Sequence, residues 1–479
     1  MLSRRDLSHF APLRSDITML FAERLRQGRA PASFFMVFDE EGALFEGGLG
    51  GRSLGGPAPD RQTRFRIASC TKSFTAAALL ILRDAGKLGL DEPITRFVPQ
   101  LRAQLPLKSP VVPTVRMLMT MSGGLSTDDP WADRQESLSR AAFLDILQKG
   151  VRFNTVPGTQ YEYSNLGYAL LGQVVEQVSG ALYQDFVTEA LFHPLGLEMT
   201  HFDYRAIPSA QMAVGYRPCQ GEWLALPFSC PGAFSSIGGV ISTGEDLAKW
   251  ASWLSAAFYT DLPEKGPLSA ASRREMQNVH CPIPLEPGEG LLFKGYGFGL
   301  VAQAMAPYGL TVSHSGGYPG FSAHMCWNPA ARIGVVGFEN ATYAGVREPV
   351  MAALTCLLNR AAPRTRAEAA DEVAVLGRQV AQLVGQWDDE LAATLCLENV
   401  ALDRSYAERA AELAMLRAMV GTPDVAGAEI LPVDQVAWGR FKVRVPCRTG
   451  TIIGMVEIGP PQPARIQAMS FRVERWSAW

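Results

Sequence analysis

The stretch that most constrains this chain is Phe65-Arg66-Ile67-Ala68-Ser69-Cys70-Thr71-Lys72-Ser73-Phe74. A short apolar strand is expected to end at Ser69, and an amphipathic helix from about Thr71 to Leu82. Ser69 then stands where a strand hands over to a helix N-terminus. Lys72 follows one helical turn later, on the same face. A serine hydroxyl is a weak nucleophile near neutrality and needs a base within hydrogen-bond reach. A lysine becomes that base when burial lowers its pKa. Chance alone supplies about one Ser-x-x-Lys per chain, and the plain alternative is a helix start with a surface lysine. The rest of the chain has to decide between the two.

The chain has 479 residues, enough for two or three domains with a large core. Its 47% hydrophobic and 19% charged residues are those of a globular protein, and a formal net charge of -3 points to neither nucleic acid nor an anionic membrane surface. Arginine greatly outnumbers lysine, which makes Lys72 stand out. The eight cysteines, Cys70, Cys219, Cys230, Cys281, Cys326, Cys356, Cys396 and Cys447, are scattered without a Cys-x-x-Cys pair. Neither a zinc site nor a disulfide framework is expected. Free thiols in apolar runs fit a reducing compartment, hence a cytoplasmic location. Ser3-Arg4-Arg5-Asp6-Leu7 has the look of a twin-arginine export signal. Arg14, Asp16, Glu23 and Arg24 interrupt the apolar run such a signal needs, so export is not expected. No stretch reaches the length of a transmembrane helix.

In chain order, Asp16–Gln27 has the period of a helix, with Ile17, Leu20, Phe21 and Leu25 on one face. Residues 33–38 and 43–46 form a predicted hairpin about the Asp39–Gly42 turn. Thr114–Leu125 is a short helix running into a glycine turn. Leu170, Leu171, Val174, Val175 and Val178 mark a strong helix closed by Gly180. Further helices are expected at Ala181–Leu191 and Thr243–Leu254. From Tyr296 the pattern changes to antiparallel strands at Gly299–Gln303, Thr311–Ser313, Ser322–Asn328 and Ile333–Glu339. A helix at Val350–Leu358 is free to pack back on that sheet. Pro363–Glu372 changes in style and sets a boundary. Beyond it, helices at Ala367–Asp388 and Tyr406–Met419 precede strands at Val436–Val445, Thr451–Ile458 and Arg465–Val473.

Two further motifs join the first. Tyr163-Ser164-Asn165 precedes the strong helix, and His314-Ser315-Gly316-Gly317 is expected at a strand end. Each alone has a plain reading, a turn or a satisfied strand-end histidine. The order Ser-x-x-Lys, Tyr-x-Asn, basic residue-Ser-Gly, each on the element type it needs, is far from accidental. Here the chain resembles the serine β-lactamase-related hydrolases, which include class C β-lactamases, D-aminopeptidases, DD-carboxypeptidases and esterases. The resemblance runs from about Asp16 to Asn359. It takes in Thr114–Leu125, Pro157–Gly180, Pro194-Leu195-Gly196-Leu197, Gly238–Thr243 and Ile333–Asn340 besides the three motifs.

The resemblance implies an α+β, β-lactamase/transpeptidase-like fold for residues 1–362: an antiparallel sheet flanked by helices, a helical subdomain and a site between them. Residues 363–479 are expected to form a small C-terminal α+β domain of open role, either covering the cleft mouth or forming an oligomer interface. By the resemblance, Ser69 attacks a carbonyl and Lys72 and Tyr163 share the base work. Asn165 fixes Lys72 and contacts the substrate amide, and the N–H groups of Ser69 and Gly317 form the oxyanion hole. His314, Ser315 and Gly316 bind substrate, the glycines letting it lie close along the strand edge. Tyrosine titrates near pH 10, so Tyr163 needs a cation beside it to act as a base, and Lys72 and His314 are the candidates.

Two departures bear on the subfamily. His314 stands where class C β-lactamases have lysine, and histidine there occurs in peptidase-like members. Met121 and Gly123 replace a histidine and a serine of a mainly structural segment. The expected function is a serine hydrolase acting through an acyl-enzyme on an amide or peptide bond, with peptidase or D-aminopeptidase-like activity. A carboxylesterase or β-lactamase of the same family is the alternative within enzymes, and a non-hydrolysing acyl-binding sensor is the alternative outside them. No cofactor or metal is expected. The expected partner is a small-molecule or peptide substrate, with no nucleic acid and no membrane, and a homo-oligomer is left open. Cys70 is expected to pack behind the site, and Asp128-Asp129 to lie in a solvated loop, with a place bordering the substrate cleft as the alternative, since loops often carry function. His9, His193, His201, His280 and His324 are expected to be structural. Arg448-Thr449-Gly450 is rejected as a third motif because its arginine cannot give up a proton.

Overall fold

The computed structural model describes residues 12–105, 110–259, 261–286, 291–305, 308–360, 371–433 and 439–475. The twin-arginine-like stretch, His9 and most of the Pro363–Glu372 boundary lie outside them. The chain divides into two compact units, Met1–Ala362 and Pro363–Trp479.

The first unit is built on eight antiparallel strands: β1 (Ala32–Asp39), β2 (Gly42–Gly50), β3 (Cys281–Pro282), β4 (Leu291–Tyr296), β5 (Val301–Met305), β6 (Gly309–Tyr318), β7 (Phe321–Asn328) and β8 (Ile333–Glu339). Their order across the sheet is β2-β1-β8-β7-β6-β5-β4-β3, so the first strand pairs with the last. Every residue of β1 is buried, which explains its lack of polar alternation. Phe34, Met36 and Phe38 turn to the main core. Phe35 and Val37 turn to the other face, against Ile17 and Phe21 of α1 (Leu13–Arg26) and Val350, Leu354 and Leu357 of the C-terminal helix Arg347–Arg360. That helix does pack back on the sheet. Each such side chain contributes about 1.5–3 kcal/mol by leaving water. A buried ion pair joins α1 to the end of β8, with Arg24 donating to both Glu339 oxygens at 2.7 and 2.9 Å.

On the main-core side lie α2 (Thr71–Asp84), α3 (Asn165–Ser179) and α4 (Gly244–Ser255). The expectation that α2 is amphipathic is corrected: Thr71 to Leu80 are all buried, Lys72, Ser73 and Thr75 included. Its hydroxyls are satisfied inside. Ser73 Oγ donates to Cys70 O and receives Trp250 Nε1–H, and Thr75 Oγ1 donates to Ser236 O. At α3 the Ser164 hydroxyl caps the first turn, and Gly180 ends the helix at φ +74°.

The second unit is a four-stranded antiparallel sheet in sequential order, Glu429–Pro432, Arg440–Cys447, Gly450–Ile458 and Ile466–Arg475. The first of these strands was not legible. Helices Asp371–Gly385 and Tyr406–Val420 match the expected pair, and two short helices, Asp389–Leu395 and Glu398–Asp403, lie between them. Phe441, Val443, Val445, Ile452 and Val456 meet Val380, Val384 and Leu413 in its own core. Among the described residues, no helix is long and apolar enough to cross a membrane.

Candidate active site

The Ser69 turn is clamped before it begins. Phe65 and Arg66 pair with Ser242 and Ile241. The Arg66 guanidinium meets Glu136 at 2.7 Å, both buried, and donates to Ser229 O. Ala68 then takes φ +49°, a left-handed conformation that costs a non-glycine residue on the order of 1–3 kcal/mol. The chain closes a 3-10 turn over Ala68–Cys70 and enters α2, so Ser69 stands at the junction, itself buried.

Lys72 lies wholly inside, and its ammonium donates to three oxygens: Ser69 Oγ at 2.9 Å, Asn165 Oδ1 at 2.7 Å and Ile237 O at 2.9 Å. The rings of Tyr163 and Tyr168 flank it at 5.0 and 5.6 Å. Burial pulls its pKa down to about 8, against the opposing pull of Asp133, Asp129 and Asp128. Lys72 is therefore no surface charge.

Tyr163 and Ser69 line the same cleft. Burial pushes the Tyr163 phenol well above its ordinary value, the Ser69 side chain pulls it down, and Asp129 and Asp133 push it up. The cation expected to lower it is not His314. That ring is buried, and its pKa falls to about 3 through burial and then the Lys72 charge. His314 Nδ1 lies 2.6 Å from the Ser315 carbonyl, which can only accept. Nδ1 therefore carries the proton, and Nε2 accepts from the Tyr296 hydroxyl at 2.9 Å.

The third motif is not at a strand end but inside β6. The β5 ladder stops at the Val301–Ser313 pair, so His314 to Tyr318 pair with β7 alone and leave one edge open at the site. Ser315 is exposed, and its hydroxyl bonds His324 Nδ1. Gly316 is buried. A Cβ there would stand 2.2 Å from Ile67 O, so the missing side chain lets β6 lie against the Ser69 turn. At Gly317 a Cβ would stand 2.5 Å from the Tyr343 ring.

A cleft of about 330 Å³ opens here, lined by Ser69, Tyr163, His314, Ser315 and Gly317 among others. Asn165 and Lys72 sit behind it, wholly buried. The cleft also has walls the sequence did not reveal, Asp133, Tyr161, Tyr296 and Tyr343, and Asp129 joins them as the alternative reading had it. The expectation that Asp128-Asp129 forms a solvated loop is corrected. Asp128 accepts the Asn165 and Leu166 N–H groups at 2.7 and 2.8 Å, capping α3, and Asp129 Oδ1 accepts Asn165 Nδ2 at 2.6 Å. Asp133, its carboxyl pushed up to about 7 by burial, receives the Tyr343 hydroxyl at 2.7 Å. No spacing rule links these positions. Cys70 packs behind the site as expected, its Sγ 3.3 Å from His314 O and its thiol pushed up to about 12 by burial. A larger hollow of about 680 Å³, lined by Glu40, Arg61, Lys249 and Trp253 among others, holds none of the three motifs.

A serine facing a buried lysine, on the seam between a helical layer and an antiparallel sheet, defines a class, the serine hydrolases of β-lactamase type. The chain belongs to the beta-lactamase family, whose model matches residues 17–358. Penicillin-binding protein 4* of Bacillus subtilis (strain 168) is 28% identical over 278 residues, 54% of this chain and 57% of that protein, so the chain spans under two thirds of that relative. The octameric penicillin-binding protein homologue from Pyrococcus abyssi superposes with a TM-score of 0.64 at 19% identity, covering 97% of this chain and 96% of its own. A D-stereospecific amidohydrolase from Streptomyces sp. superposes with a TM-score of 0.58 at 21% identity, covering 71% of this chain and 98% of its own. The fold is the β-lactamase/transpeptidase-like one.

Proposed function

We propose that this protein is a serine hydrolase that opens an amide or peptide bond through an acyl-enzyme on Ser69, with Lys72 as the base. The observation that carries the reading is the 2.9 Å contact between Ser69 Oγ and a buried Lys72 whose pKa is pulled down to about 8. Neutral Lys72 takes the hydroxyl proton as Ser69 Oγ bonds to the carbonyl carbon. The N–H groups of Ser69 and Gly317 hold the oxyanion, and losing one such donor costs roughly 3–4 kcal/mol of transition-state stabilisation. As the C–N bond breaks, the proton passes from Lys72 through the Tyr163 hydroxyl to the leaving amine. Water then opens the acyl-Ser69 ester by the same route. Tyr163 serves as a relay, because burial holds its phenol protonated.

The cleft lining supports one substrate class over others. Two aspartates and four tyrosines line it, and among the described residues no lysine or arginine does. His314, neutral at pH 7, offers no charge to a substrate carboxylate. That supports an uncharged or amine-bearing acyl group, as in an aminopeptidase or amidase, over the carboxylate-bearing β-lactams and C-terminal peptides. The amidohydrolase similarity supports the same reading. The Pyrococcus abyssi homologue, described as octameric, supports a homo-oligomer, which light scattering would test. Eight free thiols support a reducing compartment.

The test is labelling with a fluorophosphonate followed by mass spectrometry of the adduct, then turnover of D- and L-aminoacyl anilides, p-nitrophenyl esters and nitrocefin. An adduct on Ser69 with aminoacyl anilide turnover is expected. An adduct on Cys70, or none, would sink the nucleophile. Nitrocefin turned over well with little on anilides would sink the substrate class.

A further inference from the structure

We propose that Asp129 is a positioning residue for the Ser69–Lys72 couple: it holds the Asn165 amide in the orientation that leaves the Lys72 lone pair facing Ser69. The inference rests on Ser69 and Lys72 acting as nucleophile and base.

The argument is one of counting hydrogens. Neutral Lys72 has two N–H bonds and one lone pair. Ile237 O can only accept, so it takes one hydrogen. Asn165 Oδ1 takes the second. Of the three partners, only Ser69 Oγ then has a proton to give, and the lone pair must face it. The result depends on which end of the Asn165 amide points at Lys72. A flipped amide would offer Nδ2–H to the lone pair, and Ser69 would then receive a hydrogen instead of losing one.

Asp129 blocks that flip. Its Oδ1 receives Asn165 Nδ2 at 2.6 Å, and a carboxylate has no hydrogen to offer an amide oxygen. Turning the amide would bring oxygen against oxygen on one side while nitrogen met the amine on the other. Asn165 is wholly buried, so its partners are fixed by packing. Asp128 works beside it on the backbone, through the Asn165 and Leu166 N–H groups. Asp128 sets where Asn165 sits, and Asp129 sets which way its amide turns.

Asp129 also carries charge. The titratable and charged groups facing Lys72 are Asp133, Asp129, Asp128, Cys70, Tyr163, Tyr168 and the neutral His314. Among these, the three aspartates favour the ammonium, so removing one lowers the pH at which Lys72 loses its proton.

The experiment compares full-length wild type, D129N and D129L. For each it measures the rate constant of fluorophosphonate labelling from pH 5 to 10 and the fraction of protein that labels at completion. Asparagine keeps an oxygen for Asn165 Nδ2 but drops the charge, and its own NH2 can also serve the flipped amide. D129N is expected to lose about three- to tenfold in plateau rate, with its acid limb moved to lower pH. Leucine removes both, and the D129L plateau rate is expected to fall about 10- to 100-fold in a population that still labels fully. D129L labelling at the wild-type rate would overturn the inference, as would a loss confined to the labelled fraction, which marks a folding defect. If D129L does not fold, the D129N plateau decides: a fall of about threefold or more in a population that labels fully supports the role, and an unchanged plateau overturns it. Wild type that labels anywhere but Ser69 sinks the nucleophile itself, a failure distinct from either variant's.

Discussion

The two units of this chain place their polar groups differently. In the first, Lys72, Asn165, His314 and Asp133 are buried together around one serine, behind a turn with a left-handed alanine. In the second, a buried charge such as Arg409 gives its hydrogens to the Met469 and Val400 carbonyls. The Arg440–Cys447 strand there runs less buried and buried by turns, with one face on the core, whereas β1 is buried throughout. Buried titratable groups are costly unless they are paired. The first unit gathers several of them around Ser69, besides ion pairs such as Arg24–Glu339 and Arg66–Glu136, and in the second Arg409 satisfies backbone carbonyls.

That contrast can be broken at several points. Ser69→Ala should lower turnover by about 10⁴-fold or more and abolish the fluorophosphonate adduct, with unchanged thermal stability as the control. Survival of the adduct would end the reading of the first unit. Phe441→Ala, in the second unit's core, should destabilise that unit by about 3–5 kcal/mol, read by denaturant titration. A change below 1 kcal/mol would mean its core is not the one described.

The pH dependence of labelling comes next. Lys72 acts unprotonated, so the labelling rate should rise about tenfold per pH unit below about 8 and level off above it. A rising limb near 10 would return Lys72 to an ordinary surface lysine. The smallest effect is expected at Ser405, which forms a capping box with Glu408 at the start of Tyr406–Val420. Ser405→Ala should cost about 1 kcal/mol of stability and leave the rate of Ser69 labelling unchanged.

Much of the site was legible because its parts are local. Ser69 and Lys72 are one turn apart on any helix, and Tyr163 and Asn165 flank a Ser164 that caps one. The strands β7 and β8 and the helix after them followed from period and turn residues. The central helix α2 misled, because burial on all sides puts threonine, serine and lysine where an amphipathic pattern reads solvent. At Gly316, glycine signals close approach, and the packing adds that one approaching group is the Ile67 carbonyl.

By itself the sequence determined the spacing of Ser69 with Lys72 and of Tyr163 with Asn165 and the elements they ride on, since spacing along a helix or strand is a property of the local backbone. Only the tertiary structure decided the protonation states and the walls of the cleft. Lys72 is drawn to about 8 and His314 to about 3 by burial, which no neighbour in sequence imposes. Asp129 and Asp133 reach Asn165 and Tyr343 across 36 and 210 residues of chain. The physical reason is that desolvation and hydrogen-bond orientation depend on what surrounds a group in space. For Ser69, that means the helical layer and the open edge of β6 together.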